Sequence, residues 1–230
     1  MKNPLVSIIV PSYNRAVFLP ATFDSLLSQD YAEKEIVVVD DGSTDNTSEV
    51  CARYPVRYFR QENRGVSAAR NFGAANCSGS ILMFLDSDDL CPTGSLRRRV
   101  ESWMEEPHYA HVTGRIRFFQ ENVPGNMHFL HPEEEAFHFL IHGAEIVTRD
   151  AFEKAGGFDE TIGIGEDVDL WLRMSDLGLR QKLIPEICLF YRKHAGNVTR
   201  DRDRSKHGFL SVLHRTIERR RTRQSQSTAP

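Results

Sequence analysis

The sequence lacks long hydrophobic runs, and neither sign of charge is in large excess. Its strongly apolar pieces, Leu5–Val10 and Ile81–Leu85, have the length of strands and fall short of the roughly 20 residues of a membrane-spanning helix. The segment Met1–Pro4 leads directly into the first of these pieces, so we expect no signal peptide and a cytoplasmic protein. The 230 residues carry 29 Lys and Arg against 32 Asp and Glu, and the resulting net charge of -3 favours no special partner.

The four cysteines show neither CxxC spacing nor dense clustering. They therefore predict no disulfide scaffold, and free thiols in a reducing compartment are the simplest interpretation. With 40% apolar and 27% charged residues, the composition also excludes collagen and a disordered chain. The length suits one large domain or two small ones with a sizeable core.

The small net charge hides an uneven distribution along the chain. Residues 200–223 hold nine of the 29 basic residues and three of the 32 acidic ones, so this segment is about +6 and the rest about -9. The simplest interpretation is a solvated amphipathic helix over 208–220 and a disordered tail from Thr222. Peripheral contact of this basic tail with an anionic membrane surface is the alternative, whereas we expect no nucleic-acid partner.

The first 90 residues alternate between two hydrophobic periods. Continuous apolar or β-branched runs predict strands over 6–10, 35–39, 56–59 and 80–85. Between them, the spacing of apolar and small residues predicts helices over 19–27, 44–53 and 66–76. This alternation with short connections indicates βαβ units, and hence an α/β fold with a mostly parallel, Rossmann-like central sheet flanked by helices.

The second half is less regular. We expect helices over 95–104 and 167–177 and strands over 110–119, 144–148, 179–184 and 187–191. The segment Glu121–Glu135 is rich in Pro, Gly, Asn and acidic residues and predicts a loop or flap. Six histidines crowd this half without an HExxH motif, and we interpret them as ordinary surface and loop histidines: His108, His111, His128, His131, His138 and His142.

Polar residues follow each of the four early strands at the point where the strand ends. These exits are Pro11–Arg15, Asp40–Ser43, Asn63–Gly65 and Asp86–Asp89. In an open α/β sheet, ligands bind beyond the carboxyl ends of the strands. The four exits can therefore converge on one ligand.

Two acidic pairs are candidates for chemistry. In extended chain, Asp86 and Asp88 point to the same side, so both carboxylates can face one Mg²⁺ or Mn²⁺ that also binds a substrate diphosphate. An acidic cap on the following helix is the alternative. Glu166 and Asp167 precede an amphipathic helix, where a carboxylate can accept a proton from a hydroxyl; an N-cap is the alternative there.

In their order and spacing, these motifs resemble family 2 glycosyltransferases. The motifs that carry the resemblance are Val6–Arg15, Val38–Asp45, Asn63–Asn71, Phe84–Asp89, Gly157–Leu170 and Tyr191–Thr199. The resemblance covers residues 4–199 and implies a GT-A fold, with a nucleotide-sugar-binding half over 1–90 and an acceptor-binding half over 91–199. Residues 200–230 lie beyond it.

The resemblance also implies roles for individual residues. Those expected at the donor nucleotide are Pro11, Tyr13, Arg15, Asp40, Asp41, Arg70 and Asp86. Those expected at a bound Mn²⁺ or Mg²⁺ are Asp88, Asp86 and His194. Asp167 is expected to be the catalytic base that takes the proton of the acceptor hydroxyl.

The resemblance therefore implies a hexosyltransferase-type enzyme that moves a sugar, with inversion, from a UDP-sugar to a glycan or lipid-linked acceptor. A sugar nucleotidyltransferase would need a Gly-rich phosphate loop after the first strand, and Pro11–Arg15 contains no glycine. A non-catalytic subunit that binds a nucleotide-sugar stays open, because an intact acidic motif does not prove turnover.

Overall fold

The chain folds around one eight-stranded sheet, in a computed structural model that describes residues 3–123, 125–139, 141–197 and 202–227. The strands are β1 (Val6–Ser12), β2 (Lys34–Asp40), β3 (Arg57–Arg60), β4 (Ile81–Phe84), β5 (His111–Val123), β6 (Asn126–Phe129), β7 (Glu145–Thr148) and β8 (Gln181–Arg192). The helices are α1 (Leu19–Leu27), α2 (Thr47–Cys51), α3 (Val66–Ala75), α4 (Ser95–Glu105), α5 (Arg149–Lys154), α6 (Glu166–Asp176) and α7 (Arg202–Ser227).

The sheet has the order β3-β2-β1-β4-β7-β5-β6, and β8 pairs with β5. Strands β1 to β4 are mutually parallel, β7 runs antiparallel to both β4 and β5, and β8 runs parallel to β5. The predicted mostly parallel α/β sheet is confirmed. Strands from both halves of the chain belong to it, because β4 pairs directly with β7.

The core explains why β1 is apolar along its length. All seven of its residues are buried, because β2 and β4 flank it and helices cover both faces. Phe23 and Leu26 of α1 pack in the cluster on one face. On the other face α3 lies so close that a Cβ added at Gly73 would stand 2.5 Å from Ile9 Cγ2. The small residues of α3 therefore let this helix lie against the sheet.

The structure differs from the sequence-based prediction in two strands. The segment predicted as a loop or flap over 121–135 contains β6, which forms a hairpin with β5. The two strands predicted around Pro185 are one strand, β8. Proline is tolerated there because the register between β8 and β5 shifts at that point.

Helix α7 is also longer than predicted, since it extends past Thr222 to Ser227. Val198 and Thr199 of the late motif, and residues 228–230 of the predicted tail, lie outside the described residues. No helix in the described part of the chain is long and apolar enough to cross a membrane. All four cysteines are free, and Cys51, Cys91 and Cys188 are buried, as predicted.

Candidate active site

Arg70 is at the centre of the candidate site. Its Nη2 lies 2.7 Å from Asp86 Oδ1, at the exit of β4. Its Nη1 lies 2.9 Å from Glu166 Oε1 and 3.2 Å from Asp167 Oδ1, in the first turn of α6. The Arg70 side chain is only 4% exposed. One buried guanidinium thus joins three carboxylates from two separate parts of the chain.

The Gly157–Phe158 motif contacts two neighbouring residues of α3, Arg70 and Asn71. The guanidinium carbon of Arg70 lies 5.1 Å from the centre of the Phe158 ring. Asn71, the next residue of α3, exchanges two hydrogen bonds of 2.9 Å with the backbone of Phe158. Gly157 has φ +67°, and a Cβ there would stand 2.9 Å from Asn71 Oδ1, so a side chain would break this contact. The Gly157–Phe158 pair therefore has a structural role, contact with α3, that the sequence analysis did not predict.

Asp167 is not the cap of α6. Gly165 occupies the N-cap position with φ +92°, and no side chain makes a capping hydrogen bond. The carboxylate of Asp167 instead faces Arg70 Nη1 and, at 3.7 Å, His142 Nε2. Burial raises the pKa of Asp167 to about 6, although His142 and Arg70 act in the opposite direction. This environment makes Asp167 a carboxylate that is ionised near neutral pH and still basic.

Asp88 and His194 form a second group, next to Arg15. Asp88 Oδ2 lies 2.9 Å from His194 Nε2 and 3.4 Å from Arg15 Nε. The other ring nitrogen of His194, Nδ1, accepts a 3.0 Å hydrogen bond from the backbone N–H of Gly196. In the neutral ring the proton is therefore on Nε2, which donates to Asp88. Ligation of a metal through Nε2 would need the proton to move to Nδ1 and the Gly196 contact to open.

Asp86 and Asp88 have different partners. Strand β4 ends at Phe84, and a 3.1 Å hydrogen bond from Asp89 N to Asp86 O closes a turn, so the chain here is not extended as the sequence argument assumed. Asp86 contacts Arg70, and Asp88 contacts His194. Within the described residues, no three or more His, Cys, Asp or Glu side chains are grouped closely enough to hold a metal ion by themselves.

Five of the residues expected at the nucleotide lie at or just beyond the ends of β1 and β2, and these are Pro11, Tyr13, Arg15, Asp40 and Asp41. Asp40 is 1% exposed, and its two oxygens accept hydrogen bonds from Ser43 N and the Tyr58 hydroxyl. Asp41 Oδ1 accepts from Gln61 Nε2 and Arg64 N, and its Oδ2 accepts from Gly65 N. Pro11 is buried in β1, whereas Tyr13 is 46% exposed. Asp40 and Asp41 thus fix the loops around the strand ends.

Three residues of the site were missed by sequence reasoning: His111, His142 and Glu145. The two histidines are 2% and 3% exposed, so their interpretation as surface or loop histidines was wrong. His111 lies on β5 and Glu145 on the neighbouring antiparallel strand β7. A possible signal was the polar alternation His111–Thr113, which puts two polar groups on one face of a strand. The pairing with Glu145 becomes visible only in the fold.

Comparison with known proteins gives the family. The sequence profile described as Glycosyl transferase family 2 matches residues 7–157. An uncharacterized glycosyltransferase of Rickettsia typhi is 31% identical over 188 residues, which are 74% of this chain and 58% of that protein. Chondroitin synthase of Escherichia coli is 28% identical over 227 residues, which are 94% of this chain and 33% of that protein. The chain therefore spans less than two thirds of the length of these relatives.

Solved structures show the same fold. A mannosyltransferase from Pyrobaculum calidifontis, in complex with GDP-Man and Mn²⁺, gives a TM-score of 0.76 at 22% identity, over 95% of this chain and 65% of that one. Staphylococcus aureus TarS in complex with UDP-GlcNAc gives 0.68 at 21% identity, over 86% of this chain and 61% of that one. The likeness confirms the predicted GT-A fold. The profile match covers about two thirds of the chain, and the chain therefore belongs to glycosyl transferase family 2.

Proposed function

We propose that this chain is an inverting, hexosyltransferase-type enzyme that moves a sugar from a nucleotide-sugar to a hydroxyl of a glycan or lipid-linked acceptor. A UDP-sugar is the donor expected first. The observation that carries the proposal is the environment of Asp167, a partly buried carboxylate, 18% exposed, with a pKa of about 6, that does not cap its helix. A general base works best when its pKa lies near the operating pH.

The mechanism is a single displacement. The acceptor oxygen attacks the anomeric carbon from the face opposite the diphosphate, its proton passes to the Asp167 carboxylate, and the bond to the diphosphate breaks. One inversion results, and no nucleophilic residue of the protein is needed. Arg70 holds Asp167 through Nη1 and Asp86 through Nη2, and thereby fixes the distance between the base and the exit of β4.

We assign a bound Mn²⁺ or Mg²⁺ ion to Asp88. The side chain of Asp88 is 14% exposed, and its carboxylate contacts His194 and Arg15. When bound, such an ion supplies positive charge that stabilises the leaving diphosphate. Arg15 adds a fixed positive charge in the same place. His194 can join the ion only after its proton has moved to Nδ1, so we assign Asp88 the larger share of metal affinity.

The donor nucleotide is assigned to the ends of β1 and β2. Asp41 Oδ2 accepts one hydrogen bond within the protein, which leaves it a lone pair for the N–H of a uracil base. The exposed ring of Tyr13 can stack on a base, and Pro11 shapes the strand end beneath it. We assign Asp40 a supporting role, because both of its oxygens already have partners. Asp86, whose side chain is 38% exposed, can face the ribose.

A donor screen tests this proposal before any acceptor is known. The melting temperature is measured with UDP, GDP and dTDP and their sugars, each with and without Mn²⁺. A nucleotide at 100 times its Kd stabilises the folded state by about 2.7 kcal/mol. We expect UDP with Mn²⁺ to raise the melting temperature and Asp88→Asn to remove the effect of the ion. The matched control is Asp30→Asn, an exposed carboxylate that pairs with Arg97. No shift with any nucleotide would contradict the proposal.

The product that is released distinguishes a glycosyltransferase from a sugar nucleotidyltransferase and from a non-catalytic subunit. With a donor and a panel of glycan and lipid-linked acceptors, we expect release of the nucleoside diphosphate. In a separate assay with a nucleoside triphosphate and a sugar 1-phosphate, release of pyrophosphate would indicate a sugar nucleotidyltransferase. Binding of a donor without turnover on any acceptor would indicate a non-catalytic subunit that binds nucleotide-sugars.

A further inference from the structure

Behind Asp167 lies a buried row of side chains that the proposed mechanism does not use. His111, Glu145 and His142 are 2%, 5% and 3% exposed. Glu145 Oε2 lies 3.0 Å from His111 Nδ1 and accepts a 3.2 Å hydrogen bond from Thr113 Oγ1. Glu145 Oε1 contacts His142 Nδ1. The antiparallel pairing of β5 with β7 creates the row, because it sets Thr113 opposite Glu145.

The charge of Glu145 determines the protonation of His142. Burial acts against ionisation, but His142 and His111 outweigh it and hold the pKa of Glu145 well below its usual range. An ionised Glu145 beside Nδ1 fixes the proton of His142 on that nitrogen. Burial also acts against a charged His142, yet Glu145 and Asp167 outweigh it and raise the pKa of His142. The second proton, on Nε2, is thereby stabilised.

Nε2 of His142 faces Asp167. Among the described residues it is buried without a hydrogen-bond partner, and it lies 3.7 Å from Asp167 Oδ1. Phe158 packs perpendicular to the imidazole at 5.0 Å, and Phe84 packs edge-on at 6.0 Å, so the ring plane is fixed. An unpaired buried polar atom costs free energy, and a small approach of Asp167 would pair it.

Asp167 needs a second cation to stay ionised. Within the described residues, the cationic groups within 4 Å of Asp167 are Arg70 and His142. Arg70 is shared with Asp86 and Glu166, so it cannot neutralise Asp167 alone. Both of those carboxylates act to raise the pKa of Asp167, whereas His142 acts to lower it.

We propose that His142 is a positioning residue for the base: held at Nδ1 by Glu145, it directs Nε2–H to the Asp167 carboxylate and keeps that carboxylate ionised and oriented. This inference rests on the proposed function, in which Asp167 takes the acceptor proton. That proton stays on Asp167 during transfer, and His142 keeps both of its own. His142 therefore does not relay protons.

The pH profile of sugar transfer tests the proposal. His142→Gln keeps an N–H donor and loses the charge. Without that charge the pKa of Asp167 rises, and we expect the pH at which kcat falls on the acid side to increase by about one unit. On the acid side of the profile the rate then falls about tenfold, whereas at high pH it stays within about threefold of wild type. His138→Gln is the matched control, because His138 is exposed and contacts a backbone carbonyl away from Asp167. An equal loss of rate at every pH would indicate a merely structural residue and overturn the proposal.

Nuclear magnetic resonance gives a readout that needs no turnover and no His142 variant. The ring Cε1–H of each histidine is followed through a pH titration in wild type and in Asp167→Asn. We expect the pKa of His142 to fall by at least about half a unit when the Asp167 charge is removed, with His138 unchanged. An unchanged His142 would overturn the proposal even in an active enzyme. Coupling in a protein that turns over no nucleotide-sugar would support the His142–Asp167 contact and refute the proposed function.

Discussion

The substitution Arg70→Met tests whether the buried arginine holds the site together. It would leave Asp86, Glu166 and Asp167 without the cation that lies 2.7 to 3.2 Å from each of them. Removal of one partner of a buried ion pair costs about 3–5 kcal/mol, because the remaining charge stays buried and uncompensated. We therefore expect the free energy of unfolding at pH 8 to fall by about 3–5 kcal/mol, a large part of the 5–15 kcal/mol typical of a domain.

The loss of unfolding free energy in Arg70→Met should increase with pH. The pKa of Asp167 in the folded protein, about 6, already lies above its ordinary value of 3.8, and it rises further without Arg70. The folded state then binds more protons than the unfolded state over a wider range, so stability is present at low pH and lost as pH rises through the folded-state pKa. For Arg70→Met that range extends above pH 6. We expect the penalty to be smaller at pH 5.5 than at pH 8, by about 1.4 kcal/mol for each unit of further shift.

Urea denaturation followed by circular dichroism at the two pH values measures both effects. The control is Lys154→Met, which breaks an exposed pair with Asp150 of the same 2.7 Å length and should cost no more than about 0.5 kcal/mol at either pH. The reasoning is refuted if Arg70→Met costs as little as Lys154→Met. It is also refuted if the Arg70→Met penalty is the same at both pH values.

Three further predictions follow from the structure. Asp167→Asn should abolish sugar transfer. Above pH 6 it should also raise the free energy of unfolding by roughly 1–3 kcal/mol, measured by urea denaturation at pH 8, because a neutral amide carries no charge that has to be buried. Gly157→Ala should lower the free energy of unfolding by roughly 1–3 kcal/mol, because φ is +67° and the new Cβ would stand 2.9 Å from Asn71 Oδ1. Thermal unfolding measures the loss. Gly163→Ala is the control, because the space around its Cβ is open, and it should lie within about 0.5 kcal/mol of wild type. If the exposed face of α7 contacts anionic membranes, Leu210→Glu with Ile217→Glu should reduce co-sedimentation with anionic liposomes and leave neutral ones unaffected; equal binding by wild type and variant would refute that contact.

The clearest strand signals in the sequence belong to strands that are buried on both faces. β1, β2 and β4 read as continuous apolar runs because each is flanked by strands and covered by helices. β6 was missed because it is an edge strand with alternate residues exposed, and its pairing with β5 depends on the hairpin geometry. Local composition there favoured a loop, and long-range pairing determined the outcome.

The residues of the site that sequence reasoning reached lie in motifs with a recognisable order. Asp86 follows a strand end, Arg70 and Asp167 lie in motifs that carry the family resemblance, and the fold brings the three together. The extended chain assumed for Asp86–Asp88 was wrong, because sequence alone did not show that the chain turns directly after β4. His142 and Glu145 carry no local signature, since a buried histidine and an exposed one look the same in sequence. Their role arises from strand pairing.

The basic C-terminal segment contacts α6 and the segment before it, although it lies beyond the residues that carry the family resemblance. Three of its arginines pair with acidic residues in and before α6; these pairs are Arg215–Asp159, Arg219–Asp169 and Arg220–Asp176. Val212 is fully buried, and its Cγ2 would lie 3.3 Å from a Cβ at Gly165, the residue that starts the helix of Asp167. Part of the excess of about +6 is therefore balanced within the molecule. Because deletion of α7 would also loosen the helix of Asp167, point substitutions on its exposed face are needed to separate membrane contact from catalysis.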